Sequence, residues 1–136
     1  EAEIDILKQM GIEFRYNVEI GKDITIPELR AQGYQAFYIA IGAQGGRKTG
    51  IPGEDAKGVT TGVEFLRSVN LNEDSVHLNG RTVVIGGGNV AIDVARTALR
   101  TGSELVSMYC LESEAEMPAA RDEVEEAKEE DIQIQC

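Results

Sequence analysis

The run Arg81-Thr82-Val83-Val84-Ile85-Gly86-Gly87-Gly88-Asn89-Val90-Ala91-Ile92-Asp93 constrains the fold more than any other stretch of this chain. Val83, Val84 and Ile85 form an apolar run that enters a glycine cluster, and a helix-type pattern leaves it. Strand, tight turn and helix in that order are what a dinucleotide-binding βαβ unit requires. Gly86 permits the turn, and Gly88 lets the backbone approach a pyrophosphate with no Cβ in the way. Ala91 supplies the small third position at which helix and strand pack closely. The helix opening through Asn89 and Val90 turns free N–H groups and the positive end of its dipole towards phosphate. An ordinary glycine-rich α/β turn is the plain alternative, and context favours nucleotide binding.

The rest of the unit follows. A helix over Asn89 to Thr101 has apolar residues at Val90, Val94, Ala95, Ala98 and Leu99, with Gly102 as its stop. Leu105 to Cys110 reads as a second strand. Beyond it, in Cys110-Leu111-Glu112, Glu112 falls where an acid receives the adenosine ribose hydroxyls, somewhat over ~20 residues past the glycines. The competing reading puts Glu112 in an acidic loop with Glu114 and Glu116.

Upstream, Ile4, Leu7 and Met10 mark a short helix ended by Gly11, and Ile12 to Val18 alternates as a half-buried strand. Thr25 with Glu28 is spaced as a capping box for a helix that stops at Gly33. Ala36 to Ile41 is nearly continuous in apolar residues, as a central strand buried on both faces would be. Glycines then crowd without periodicity from Gly42 to Gly58, marking a linker or crossover loop. A second capping box, Thr61 with Glu64, opens a helix through Phe65, Leu66 and Val69, and a polar loop spans Asn70 to Gly80. At the far end an acidic helix keeps Ala120, Val124 and Ala127 beneath a solvated acidic face, and Ile132 to Gln135 begins a third strand.

With 136 residues and a net charge of −11, the chain has room for one ordinary core or two incomplete ones. Its charge argues against nucleic acid or an anionic membrane as partner. No apolar run nears the roughly 20 residues of a membrane span. It opens on Glu1 rather than Met, which suggests a fragment of something larger. Cys110 and Cys136 form neither a CxxC nor a metal spacing, so the expectation is reduced thiols in a cytoplasmic protein, without a redox-active disulfide of its own. His77 stands alone in the polar loop and reads as surface. No catalytic or metal constellation emerges, which leaves the chemistry to a cofactor.

Several segments together resemble the flavin-dependent pyridine-nucleotide oxidoreductases of the glutamate synthase small-subunit type. They are Gly11 to Phe14, Asn17 to Ile24, Ile39 to Ala43, Ile51 to Asp55, Val83 to Asn89, Arg96 to Arg100 and Met117 to Ala119. They run in the family's order over essentially the whole chain. The resemblance implies an α/β chain carrying part of a Rossmann-like, doubly wound parallel sheet. Residues 1–50 would be a late segment of the FAD-binding domain with its crossover loop, and 51–136 the first half of the NAD(P)-binding domain. It also implies that Val18 meets the flavin adenine and that Gly42 and Ala43 pack under the flavin. Two departures matter: the family's first flavin fingerprint and N-terminal iron–sulfur cysteines are absent, so this piece alone should not hold FAD, and Tyr109 is followed by Cys110-Leu111-Glu112 instead of an arginine pair.

The expectation is therefore an internal fragment of a flavoprotein that passes a hydride from NAD(P)H to FAD and electrons on to a partner site. Gly86, Gly87, Gly88, Asn89, Val90, Ala91, Cys110, Leu111 and Glu112 would hold the nicotinamide nucleotide. NAD(H) is expected over NADP(H), because Cys110-Leu111-Glu112 stands where many members carry an arginine pair for the 2′-phosphate. Partners would be the remainder of the parent and an electron-accepting subunit or domain. The isolated fragment should be inactive and self-associate. The alternatives are a non-catalytic nucleotide-binding or regulatory module and a purely structural α/β piece.

Overall fold

The computed structural model describes residues 2–71 and 76–136. It divides into two compact units, Glu1–Ile41 and Gly42–Cys136.

In the first unit, α1 (Ala2–Gln9) ends ahead of Gly11, whose φ of +86° suits glycine. α2 (Ile26–Ala31) opens on the predicted capping box: Thr25 accepts from the Glu28 N–H, and Glu28 accepts in turn from the Thr25 N–H. Neither helix buries a residue. The two strands expected here do not form. Ile12 to Val18 and Ala36 to Ile41 carry no strand pairing, and the only bridge among the described residues of this unit joins Ile20 to Ile24. Apolar pattern promotes a strand only where another strand can accept its backbone hydrogen bonds. Without such a neighbour Tyr38, Ile39 and Ile41 are 94%, 78% and 81% exposed. Local contacts shape the unit instead: Phe14 stacks on Tyr16, and the Arg30 guanidinium lies 5.1 Å from the Phe37 ring centre.

The second unit is a parallel α/β layer. From Gly42 the chain runs irregularly to α3 (Gly62–Leu71), whose Thr61–Glu64 capping box is formed. The predicted polar loop is shorter than expected, since Asn70 and Leu71 are helical; its residues 72–75 lie outside the described residues. His77 is exposed. Then follow β1 (Arg81–Ile85), α4 (Asn89–Arg100), β2 (Leu105–Tyr109), a short 3-10 turn at Glu114–Glu116, α5 (Arg121–Glu129) and β3 (Gln133–Gln135). The sheet order is β1-β2-β3 with both pairings parallel, Val84 opposite Met108 and Met108 opposite Ile134. Parallel neighbours need a crossover, which α4 and α5 provide.

Alternation along the strands sends Val84, Val106 and Met108 to one face, where they bury with Ile92, Ala95 and Ala98 of α4 and Val124 and Ala127 of α5. The opposite face is open: Val83 is 60% and Ile85 61% exposed. α3 approaches α4 closely at Gly62, where an added Cβ would come within 2.9 Å of Val94 Cγ2. Gly102 ends α4 with a φ of +110° and lies against the Leu78 carbonyl, which accepts no side chain between them.

Candidate nucleotide site at the glycine turn

β1 delivers the chain to the turn through one ladder bond beyond its end, Gly86 N–H to the Tyr109 carbonyl at 2.9 Å. Gly86 turns with a φ of +140°, and a Cβ there would sit 3.4 Å from Ala91 Cβ, so a small residue at position 91 is what lets α4 close on the strand. Gly88 is the N-cap of α4, in extended conformation and without a side-chain cap. Ala91 and Ile92 both donate to the Gly88 carbonyl. The N–H groups of Asn89 and Val90 precede that first helical turn, and a helix leaves its opening donors free for an anion.

The two glycines flanking the turn's apex differ. A Cβ on Gly87 would meet Cys110 Cβ at 3.0 Å, a Glu112 carboxylate oxygen at 3.2 Å and Pro118 Cδ at 3.6 Å. A Cβ on Gly88 would meet nothing within 4 Å. A side chain on Gly87 is thus crowded by the protein itself, whereas the space over Gly88 is open. A cradle that a side chain would fill, beside helix N–H groups, fits a pyrophosphate.

The wall around Gly87 comes from the segment after β2. Cys110 is half-buried and continues the ladder by donating its N–H to the Gln135 carbonyl at 3.0 Å. Leu111 and Glu112 are exposed, and the Glu112 carboxylate lies close to the turn. The predicted residues Gly86 to Ala91, Cys110 and Glu112 are therefore gathered at the C-terminal end of the strands; Leu111 is beside them in sequence but fully exposed.

Two supports escaped the sequence reading. Asn89 Oδ1 accepts the Ala120 N–H at 2.8 Å, tying the start of α4 to the start of α5. Ala119 N–H donates to the Gly87 carbonyl at 3.1 Å, so the Met117-Pro118-Ala119 loop buttresses the turn. An asparagine at a helix start and a proline-containing loop were the available signals; which backbone groups they reach is set in space. The acidic face of α5 is also more than solvated surface. Arg96 of α4 binds Glu126 and Glu130, and Arg100 binds Glu130 at 2.7 Å.

The two cysteines, 26 residues apart, come together. Cys110 Sγ and Cys136 Sγ are 2.9 Å apart, both as free thiols. Their spacing, neither a CxxC nor a metal pattern, carries no sign of this proximity. Hydrogen bonding to Cys136, then burial, push the Cys110 thiol up to about 11.

Of the flavin-side positions, Val18 belongs to the first unit, exposed on a shallow hollow with Asn17, Glu19 and Asp23. Gly42 and Ala43 begin the second unit, exposed, with Gly42 at a φ of +67°. Among the described residues no cluster of three or more metal-ligating side chains occurs, and no helix is long and apolar enough to cross a membrane.

A family model described as pyridine nucleotide-disulphide oxidoreductase matches residues 3–136. The NADP(+)-dependent formate dehydrogenase subunit beta of Moorella thermoacetica is 41% identical over 134 residues, covering 96% of this chain and 19% of that protein. The NADPH-Fe(3+) oxidoreductase subunit beta of Geobacter sulfurreducens (strain DL-1 / KN400) is 38% identical over 138 residues, covering 99% and 20%. The glutamate synthase (NADPH) small chain of Escherichia coli (strain K12) is 34% identical over 140 residues, covering 96% and 29%. The chain thus spans less than a third of the length of each of these relatives.

Proposed function

The chain belongs to the pyridine nucleotide-disulphide oxidoreductase family, and from that membership we propose that it holds the pyrophosphate and adenosine end of NAD(P)H within a longer flavoprotein oxidoreductase. The parent would pass a hydride from that nucleotide to FAD and electrons onward to a partner subunit or domain, in the cytoplasm. The observation that carries the reading is the open space over Gly88 at the entry of α4, next to Gly87, which Cys110 and Glu112 wall.

The nicotinamide, when bound, supplies the hydride and the flavin accepts it. The chain's own residues bind and orient. Asn89 and Val90 N–H groups and the α4 dipole offset phosphate charge. Gly86 and Ala91 keep the helix close enough for those donors to reach. Glu112, beside the turn, accepts from ribose hydroxyls. Residues 1–50 act as a late FAD-domain segment, with Val18, Gly42 and Ala43 on the flavin side, and 51–136 as the first half of the nucleotide domain.

On nicotinamide choice, the relatives' names carry NADP(H), while this chain places a carboxylate and no arginine directly after β2. Discrimination acts at the 2′ position, where a carboxylate pairs with a hydroxyl and repels a phosphate. The reading for this chain is NAD(H).

The test is anaerobic reduction of the flavin in the intact parent by each nicotinamide, with wild type and Gly88→Ala. A Cβ at Gly88 meets no protein atom, so Gly88→Ala should keep the wild-type Tm and weaken nucleotide affinity about tenfold or more. Wild-type flavin reduction by the variant would remove the cradle from the mechanism. Nucleotide binding without any flavin reduction in the wild type would instead support a regulatory module.

A further inference from the structure

Beyond β2 and β3 the parallel register continues by one step. Tyr109 lies opposite Gln135, and the next N–H, of Cys110, bonds the Gln135 carbonyl at 3.0 Å. Cys110 and Cys136 therefore occupy the following rung. Neighbouring strands are ~4.8 Å apart, inside the roughly 4.4–6.8 Å between Cα atoms that a disulfide spans. The side chains already point at one another, with 2.9 Å between the sulfurs. Closing that gap needs small side-chain rotations and little backbone movement.

We propose that Cys110 and Cys136 form a reversible dithiol–disulfide site at the C-terminal end of these strands, with a low-molecular-weight disulfide as oxidant and the matching thiol as reductant. The site goes beyond the nucleotide reading, which uses Cys110 only as a wall, and does not depend on it.

The two cysteines have unequal roles. Cys136 is exposed, while Cys110 is half-buried and its thiol is held protonated by its neighbour and by burial. Cys136 thiolate attacks one sulfur of the oxidant, forming a mixed disulfide and expelling one thiolate. Cys110 then loses its proton and attacks the Cys136 sulfur, expelling the second thiolate. Two electrons pass from the cysteine pair to the oxidant, and the two cysteine protons end on the two released thiols. The bond ties the start of the Glu112 loop to the end of β3.

The experiment exposes the reduced intact protein to oxidised glutathione and maps its cysteine peptides after alkylation of free thiols. The expected product is an intramolecular Cys110–Cys136 link with loss of two hydrogens, reopened by excess reduced glutathione. Cys110→Ser should instead accumulate glutathione on Cys136, since the resolving sulfur is gone. Glutathione persisting on Cys136 of the wild type with Cys110 free, no reaction at either sulfur, or a link only between separate molecules would each overturn the proposal.

Discussion

At the scale of single residues, two adjacent glycines separate folding from binding. Gly87 is packed against Cys110, Glu112 and Pro118, with the tightest approach 3.0 Å from Cβ to Cβ. Gly87→Ala should lower stability by about 1–3 kcal/mol, the usual cost of overpacking, read as a drop in the urea midpoint. Gly88→Ala should leave that midpoint unchanged. Glu112 makes a different prediction because its carboxylate is exposed beside the turn. Glu112→Ala in the parent should reduce kcat/KM with NADH by about 1–3 kcal/mol, the scale of a lost hydrogen bond to a charged group. Glu112→Arg should shift preference towards NADPH, since a guanidinium can fork onto a 2′-phosphate. A parent that already prefers NADPH, or a cofactor ratio indifferent to both substitutions, would place Glu112 on the loop surface.

At the scale of elements, α4 and α5 are clamped by charge as well as by apolar contact. Arg96 Nε and Nη2 both reach Glu130 Oε1, at 2.8 and 2.6 Å, while Nη1 reaches Glu126. The Arg96 hydrogen bond, reinforced by the charges of Arg100 and Arg96, holds the Glu130 carboxyl below the ordinary carboxylate range despite the opposing effect of burial. A carboxylate depressed in the folded state contributes stability that is fully present above its unfolded pKa, roughly 4.3. That stability is lost as pH falls through the lower folded value. Urea midpoints should therefore fall as pH drops below the ordinary carboxylate range, and Glu130→Gln should flatten that dependence while lowering the midpoint at neutral pH. An unchanged slope would mean the clamp does not contribute. The α3 cap is a simpler case: Thr61→Ala removes the acceptor for the Glu64 N–H and should cost about 1 kcal/mol.

At the scale of the whole molecule, the second unit has one covered sheet face and one open face. Val83, Ile85 and Tyr109 share the open face and are each more than 40% exposed. Adjacent apolar side chains on an uncovered sheet face, next to a β1 edge that pairs with no further strand among the described residues, favour association with another copy. The isolated 136-residue chain should therefore rise in apparent mass across a light-scattering concentration series, and a constant monomer would contradict this. The same chain mixed with FAD and NADH should stay colourless after gel filtration and show no turnover with an artificial acceptor. Retained yellow flavin with turnover would show that it suffices by itself.

Local chemistry made much of the second unit legible in the sequence. The glycine turn, the helix after it and both capping boxes depend on residues within one or two turns of each other, so their spacing carries their conformation. The parallel layer followed, because strand–helix–strand with short loops leaves few ways to bury one apolar stripe. The first unit was misread for the converse reason. Ile12 to Val18 and Ala36 to Ile41 have strand-like patterns, but a strand exists only through its neighbours, and pattern cannot say whether a neighbour is present. Tertiary structure alone decided which distant groups meet: Asn89 with the Ala120 N–H, Arg96 with Glu130, and Cys110 with Cys136. Each pair joins segments separated by a whole crossover, and only parallel strand register, set by burial of Val84, Val106 and Met108 under α4, brings them to the same end of the sheet.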